Sequence, residues 1–487
     1  MNIIINGFHE KPLFPLVEKT LKHFNVIYGH LTYVSSKPVV PSKMKAIFHN
    51  VSNLVKGDYG VDWEEMIPLD EDLIESMNSC EVVVLKMMDR HSLSNDPPLS
   101  YDERKRLYLK HLRYWNHVIQ KNMINLFLCS SPPHEVYDFV IYCLCKLKKI
   151  PTIFFFQTSV SDTITMMEDW ESNVTDIQVR YQELLKKYKN INESDIILKG
   201  RFKRDFELNI AKKDQVPFYM LRKKPSYGIV NNSIPLFVNL NFHRCLMLLR
   251  KPNLLVQSII NGTGYFIRII RWNWIFRYYI RNTSIPDLSS KYVYFPLHMQ
   301  PEATTSPLSG VYVNQILIVQ MIAYYLPKDV YIYIKENPHQ TLVGRDIIFY
   351  KELLKIPQVR FVPNSFNTYQ LTNNSLAVVT ATGTVGLEAL YRCKPVLMFG
   401  HNFYQYAKGV FQIKNNIDCQ LALKKILSSD FKLNIKDFKI FLRALEDTTI
   451  EGYIDINYKK NTYVTDTISN RNILLKIFNK IDLVCNL

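Results

Sequence analysis

Glycine is scarce in this sequence, 15 among 487 residues, and the glycine-dense phosphate loops are missing with it. There is no Walker loop and no GxGxxG fingerprint, which excludes those two ways of cradling a nucleotide. No GxSxG turn and no HExxH or HxxxH pair occurs, so serine-hydrolase and zinc-peptidase readings fall away. No cysteine sits at a convincing strand-to-helix nucleophile turn. The eight cysteines (80, 129, 143, 145, 245, 393, 419 and 485) form no CxxC pair and lie mostly inside apolar runs such as LFLCSS. They read as reduced, buried thiols of a cytoplasmic protein. No basic-then-apolar leader opens the chain, and no window reaches the ~20 uninterrupted apolar residues of a spanning helix. The expectation is a protein that is soluble or peripheral at a membrane. Acidic pairs exist, at Glu64-Glu65 and Asp70-Glu71-Asp72, but in a polar stretch that reads as solvated loop. No metal site is expected.

What is present is ordinary globular composition, 47% apolar and 21% charged, with Tyr and Phe abundant at 30 and 27. The length predicts two domains. The net charge of +16 is unevenly spread, since residues 201–291 hold 16 Lys/Arg against 4 Asp/Glu. Such a zone attracts an acidic glycan, an anionic membrane or nucleic acid. Without a helix-turn-helix, zinc module or single-strand platform, nucleic acid ranks last. Within the zone, IRIIRWNWIFRYYIRN (267–282) resembles an interfacial helix. Arg268, Arg271, Arg277 and Arg281 spread round the helical wheel, however, which favours a partly buried helix with snorkelling arginines.

Short apolar strands alternate with segments of helical period, the pattern of βαβ units on parallel sheets. In the first third the expected strands are Asn2–Asn6, Asn25–His30, Glu81–Lys86, Ile124–Cys129 and Thr152–Gln157, with helices at Tyr101–Lys121 and His134–Lys148. Residues 163–225 read as helical and charged. A Pro/Asp/Ser linker at Ile285–Ser290 precedes a second series. Its strands are expected at Tyr292–Pro296, Val330–Lys335, Val359–Phe361, Leu376–Thr380 and Pro395–Phe399, with helices near 310–325, 347–354 and 384–391. The expected division is an N-terminal acceptor domain, 1–284, with a basic, largely helical insertion over about 163–284. A C-terminal domain, 285–487, follows, whose final helix (471–485) packs back on the first. Two such halves place a ligand cleft at the carboxyl ends of their strands.

Three strand-end loops carry chemistry. Thr380-Ala-Thr-Gly-Thr-Val-Gly-Leu-Glu-Ala-Leu390 joins a strand to a helix. Its small residues, with Gly383 and Gly386, allow close backbone approach, and the helix start favours an anion. Thr382 and Thr384 add hydroxyl donors, and Glu388 can accept the hydroxyls of a ribose; the plain alternative is simple helix capping. A further glycine turn, Lys394–Gly400, follows it. Phe295-Pro-Leu-His-Met-Gln-Pro-Glu-Ala-Thr-Thr305 gathers His298, Gln300 and Glu302 in a proline-stiffened turn, Glu302 being the acid/base candidate. Tyr333-Ile-Lys-Glu-Asn-Pro338 offers Lys335 and Asn337 to a phosphate, although a Lys-Glu pair at a strand end is commonly a solvated edge. In the first half His134, Glu135 and Asp138 share a helix start. Asp162, in QTSVSDT, is a second catalytic candidate, or else the N-cap of a helix beginning near Thr163.

In order, these three loops resemble the capsule polysaccharide biosynthesis family, which includes Kdo transferases. Gln300-Pro301-Glu302 matches as it stands, and Ser131-Pro-Pro-His-Glu135 and Met87-Met-Asp-Arg90 extend the likeness more weakly. Where the transferases carry a His-Pro pair in the strand-end turn, this chain has Asn337-Pro338, with His339 beyond. The resemblance implies an α/β, GT-B-like fold: two Rossmann-type domains facing a central cleft, the donor held by the second. It implies no cofactor beyond a nucleotide-sugar substrate, with a CMP-linked acidic sugar such as Kdo the leading donor. The acceptor would be a surface polysaccharide or its lipid-linked primer, reached from the cytoplasm with peripheral contact at the inner membrane. Among the first-domain residues, any of His134, Glu135, Asp138 and Asp162 could face such an acceptor. The competing expectations are a non-catalytic capsule assembly or export factor and another GT-B enzyme such as a nucleotide-sugar epimerase.

Overall fold

In the computed structural model the described residues are 1–93, 98–160, 162–172, 174–211, 267, 269–340 and 344–485. Much of the basic zone, and Arg268, lie outside them.

Continuous apolar runs such as IIIN, LFLC and TIFFF suit strands covered on both faces, and they form the centre of the first sheet. Its strands are β1 (Asn2–Asn6), β2 (Tyr28–Tyr33), β3 (Lys45–Asn50), β4 (Leu126–Cys129), β5 (Thr152–Gln157) and β6 (Thr163–Met167), joined by β13 (Ile450–Glu451) from far along the chain. The order is β13-β6-β5-β4-β1-β2-β3. β1 to β5 run parallel, and β6 and β13 are antiparallel additions. The second sheet comprises β7 (Tyr292–Pro296), β8 (Tyr331–Lys335), β9 (Val359–Val362), β10 (Ala377–Thr380), β11 (Val396–Met398) and β12 (Val410–Gln412). It is parallel throughout, in the order β12-β11-β10-β7-β8-β9. Both sheets reverse their winding beside the first strand, between β1 and β4 and between β7 and β10. That switch opens a crevice at the carboxyl ends of the strands. The protein is α/β, with two Rossmann-like domains facing one cleft in the GT-B manner.

Several elements differ from the sequence reading. Glu81–Lys86 lies inside a helix, Asn78–Met87, not a strand. Its valines are ambiguous in period, and Cys80, Val84 and Met87 bury one helical face. The edge strand is instead β3, KAIFHN, whose half-buried, polar-flanked pattern concealed it. β2 begins three residues later than expected. Thr163–Met167 is strand, paired antiparallel with β5, where helix was anticipated.

The helix spanning 269–281 buries Trp272, Ile275 and Tyr279 against the second sheet, not the first, and Ile269 is buried as well. Its outer face carries Ile270 and Trp274, the latter 59% exposed, with Arg271, Arg277 and Arg281 beside them. Conversely, residues beyond 449 return to the first domain. β13 extends its sheet, and the helix Asp466–Cys485 packs on Phe14–His23 through Ile473, Ile477 and Ile481. Among the described residues no helix is long and apolar enough to cross a membrane.

Candidate functional site between the two sheets

The loop after β7 is pinned on every side. Gln315 holds the backbone of His298, accepting its N–H at 2.9 Å and donating to its carbonyl at 3.0 Å. Gln340 does the same for Gln300, at 3.0 and 2.6 Å. Arg345 donates to the carbonyl of His298 at 2.7 Å and to the side-chain oxygen of Gln300. Its charge is balanced by Glu336 at 3.2 Å, and neither side chain has solvent exposure. Tyr350 donates to the same carboxylate at 2.5 Å, and the other oxygen of Glu336 accepts the N–H of Asn337 at 2.7 Å. Tyr279, from the helix over 269–281, accepts the N–H of Glu336 at 2.9 Å. The Lys-Glu pair is therefore no solvated edge. Glu336 is the buried anchor that ties the turn after β8 to the loop after β7.

His298 reaches across to the turn after β10. Its Nε2 accepts the N–H of Ala381 at 2.9 Å and lies 3.1 Å from the Thr380 hydroxyl. A backbone N–H can only donate, so Nε2 is unprotonated and the neutral ring carries its hydrogen on Nδ1. Burial, with the nearby Arg345 guanidinium, pushes this imidazole down to about 4. The ring lies against Gly383, where a Cβ would sit 2.7 Å from its Cε1 and 3.3 Å from Nδ1. Gly386 likewise gives room to the Tyr404 ring. Glycine at these two points permits the close packing that the motif requires.

These loops enclose one side of a cavity of about 780 Å³. His298, Glu302, Lys335, Asn337, Thr382, Gly383, Thr384 and Glu388 all line it. Lys335, 8% exposed, donates to the Phe366 carbonyl at 2.6 Å and the Thr368 hydroxyl at 2.7 Å, which fixes its charge at the wall. The Glu302 carboxylate accepts from Thr304. Asn337 spends its side-chain oxygen on the N–H of His339, closing the turn. Gln300 and Gly386 lie behind the lining as supports.

The opposite wall comes from the first domain, with Ser131, His134 and Gln157, and from the returning segment, with Asp455, Asn457 and Tyr458. One side chain spans both walls: Arg90 donates to the carbonyl of His134 and to that of Ser306 in the loop after β7. Asp162 is not part of this lining. Its carboxylate lies 3.3 Å from Arg201, and its carbonyl accepts from Arg201 at 2.8 Å and from the Gly452 N–H at 3.0 Å. It fastens the returning segment, and since Thr163 begins a strand it caps no helix. Arg345, Asp455 and Tyr458 had no motif to announce them, and Arg90 stood out only as part of a weak resemblance. Among the described residues no three His, Cys, Asp or Glu side chains gather as a metal site.

Residues 306–428 match the capsule polysaccharide biosynthesis protein family. Similar solved structures include KpsC of Thermosulfurimonas dismutans, a β-Kdo 2,7 transferase, at 11% identity and a TM-score of 0.32, over 77% of this chain and 90% of that one. The UDP-GlcNAc 2-epimerase of Methanocaldococcus jannaschii is similar at 12% identity and 0.27, over 92% and 99%. A glycosyltransferase of Rickettsia africae follows at 10% and 0.26, over 99% and 98%. No curated protein matches the sequence. The matched segment holds Lys335 and the Thr380–Glu388 turn, so the likeness to that family covers the second-domain side of the cavity.

Proposed function

We propose that the protein is a glycosyltransferase that moves a sugar from a nucleotide donor to a surface polysaccharide or its lipid-linked primer. The carrying observation is the convergence of three separate strand-end loops on one cavity whose volume suits a nucleotide-sugar. On the second-domain wall, Lys335, the Nδ1–H of His298 and the helix start after Gly383 meet the donor phosphate, stabilising charge as the glycosidic bond breaks. Glu388 takes the ribose hydroxyls. Glu302 orients the sugar or exchanges a proton with it. The acceptor enters along the first-domain wall past His134. In this reading protein donors carry the phosphate charge, and the transfer needs no metal ion. The family match and the fixed charge of Lys335 support an acidic, CMP-linked sugar such as Kdo as the donor. The outer face of the helix over 269–281 combines Trp274 and Ile270 with three arginines, which supports peripheral contact with an anionic inner membrane on the cytoplasmic side.

Calorimetric titration with CMP, CDP and UDP, followed by a donor screen read by product mass, tests the assignment. One nucleotide is expected to bind and its sugar conjugate to be consumed with a glycan product. Binding of none of the three would end the transferase reading in favour of a non-catalytic assembly factor.

A further inference from the structure

Three histidines line the cleft, and two of them, His298 and His134, hold opposite tautomers. His298 offers an N–H, as described above. His134 lines the other wall, and its Nδ1 lies 2.7 Å from the Pro132 carbonyl. A carbonyl can only accept, so Nδ1 carries the hydrogen and the lone pair of the neutral ring is on Nε2. Glu135 Oε1 lies 3.7 Å from that nitrogen, too far to share a hydrogen with it in the neutral ring but close enough to stabilise a positive one.

Resting on the transferase reading, we infer that His134 is the general base that takes the proton of the acceptor hydroxyl. In that step the hydroxyl oxygen bonds to the anomeric carbon while its proton passes to Nε2. The carbon's bond to the leaving oxygen, a donor phosphate oxygen in a direct displacement, breaks, and that oxygen departs with the electron pair. Lys335 and His298 stand on the opposite wall to receive it. The imidazolium formed is held by the Pro132 carbonyl on one side and Glu135 on the other, and it returns its proton to solvent.

The charged groups around the ring set its poise. The desolvating walls of the cleft lower its pKa below 6.5 and outweigh the rest; Glu135 raises it, Arg90 lowers it, and the Pro132 carbonyl and Asp455 raise it. The ring is therefore in its basic form at neutral pH, as a proton acceptor must be. Arg90 also fixes the position of the base, because it binds the His134 carbonyl and the donor-side loop at once.

Two measurements test this. Diethylpyrocarbonate attacks accessible unprotonated imidazoles, and peptide mass spectrometry reads each site. His134 should react with a pH midpoint below 6.5; no reaction, or a midpoint at or above 7, overturns the inference. The second is the pH profile of transfer by wild type and by His134→Asn, whose amide preserves the hydrogen bond to Pro132 but supplies no base. His134→Gln serves if the first variant unfolds. Transfer should fall about 10²–10⁴-fold and lose its acidic limb, with nucleotide affinity unchanged. Active wild type with an equally active variant of unaltered profile overturns the role of His134 alone. Wild type that transfers nothing and binds no nucleotide removes the proposed function, and this inference with it.

Discussion

Arg345 and Glu336 form an ion pair wholly out of solvent, and through it the turn after β8 holds the loop after β7 in place. Two charges in so dry a place are costly unless every hydrogen bond around them is made, and here Gln300, His298, Tyr350 and Asn337 complete the set. Removing one partner strands the other. Glu336→Gln or Arg345→Met should each cost about 3–5 kcal/mol in denaturant unfolding, and the double variant should cost less than the two added together. Strict additivity would show that the two side chains do not act as a pair.

Glu302 and Glu388 belong to the cavity wall, not to this brace, so their loss should separate activity from stability. Glu302→Gln is expected to lower kcat about 10²-fold or more, and Glu388→Ala to raise the KM for donor, each with an unchanged melting temperature. Normal transfer by both purified variants would strip the second-domain wall of its assigned roles.

Gly383→Ala is a steric probe of the proposed donor wall. The new methyl would meet His298 within 2.7 Å, and that ring is held from behind by Ala381 and Thr380, so the turn must shift. Nucleotide affinity should drop at least tenfold by calorimetry. Tight binding by a folded Gly383→Ala protein would place the phosphate elsewhere.

Asp138, at the start of the helix Val136–Leu147, is buried with one carboxyl oxygen lacking a partner. Burial, aided by the charge of Glu135, pushes its pKa well above the usual carboxylate range. The folded protein thus keeps this proton after the unfolded chain has released it near pH ~3.9. Wild-type stability should fall as pH rises from there to the folded pKa, by at most about 1.4 kcal/mol per unit from this group. Asp138→Asn lacks the group, so the gap between variant and wild type should widen in the variant's favour across that window. A gap that stays constant with pH would mean that Asp138 ionises normally.

The outer face of the helix over 269–281 gives a prediction outside the cleft. Flotation with vesicles containing anionic phospholipid should recover wild type at low salt. Trp274→Asp should reduce that recovery severalfold, while vesicles of neutral lipid recover neither. Equal recovery of both proteins would remove this face from membrane contact.

The sequence announced the second domain more fully than the first. Its strands end in motif loops, and Tyr292–Pro296 and the helix Ile347–Leu354 fall where the pattern placed them. The three loops around 300, 335 and 384 were legible because they concentrate small residues, hydroxyls and a cation at strand ends, and the structure brings them to one cavity. In the first domain EVVVLK reads equally as strand or helix, and only its packing partners decide. Asp162 was misleading for a related reason: a carboxylate just past a strand reads as cleft-facing, yet a neighbouring arginine holds it elsewhere. Asp455 and Tyr458 were invisible because they reach the cavity only through a return of the chain across some 290 residues, from β13 to β6. Local pattern carries no trace of such pairing.

That return has a consequence for how the protein is made. The first sheet lacks an edge until Ile450–Glu451 arrives, and the apolar face of Phe14–His23 stays uncovered until Asp466–Cys485 docks on it. The amino-terminal half, though synthesised first, cannot complete this edge or cover this face until residues 450–485 are available to it. A gene split at the linker near residue 285 would yield one fragment missing a seam and another carrying a loose thread.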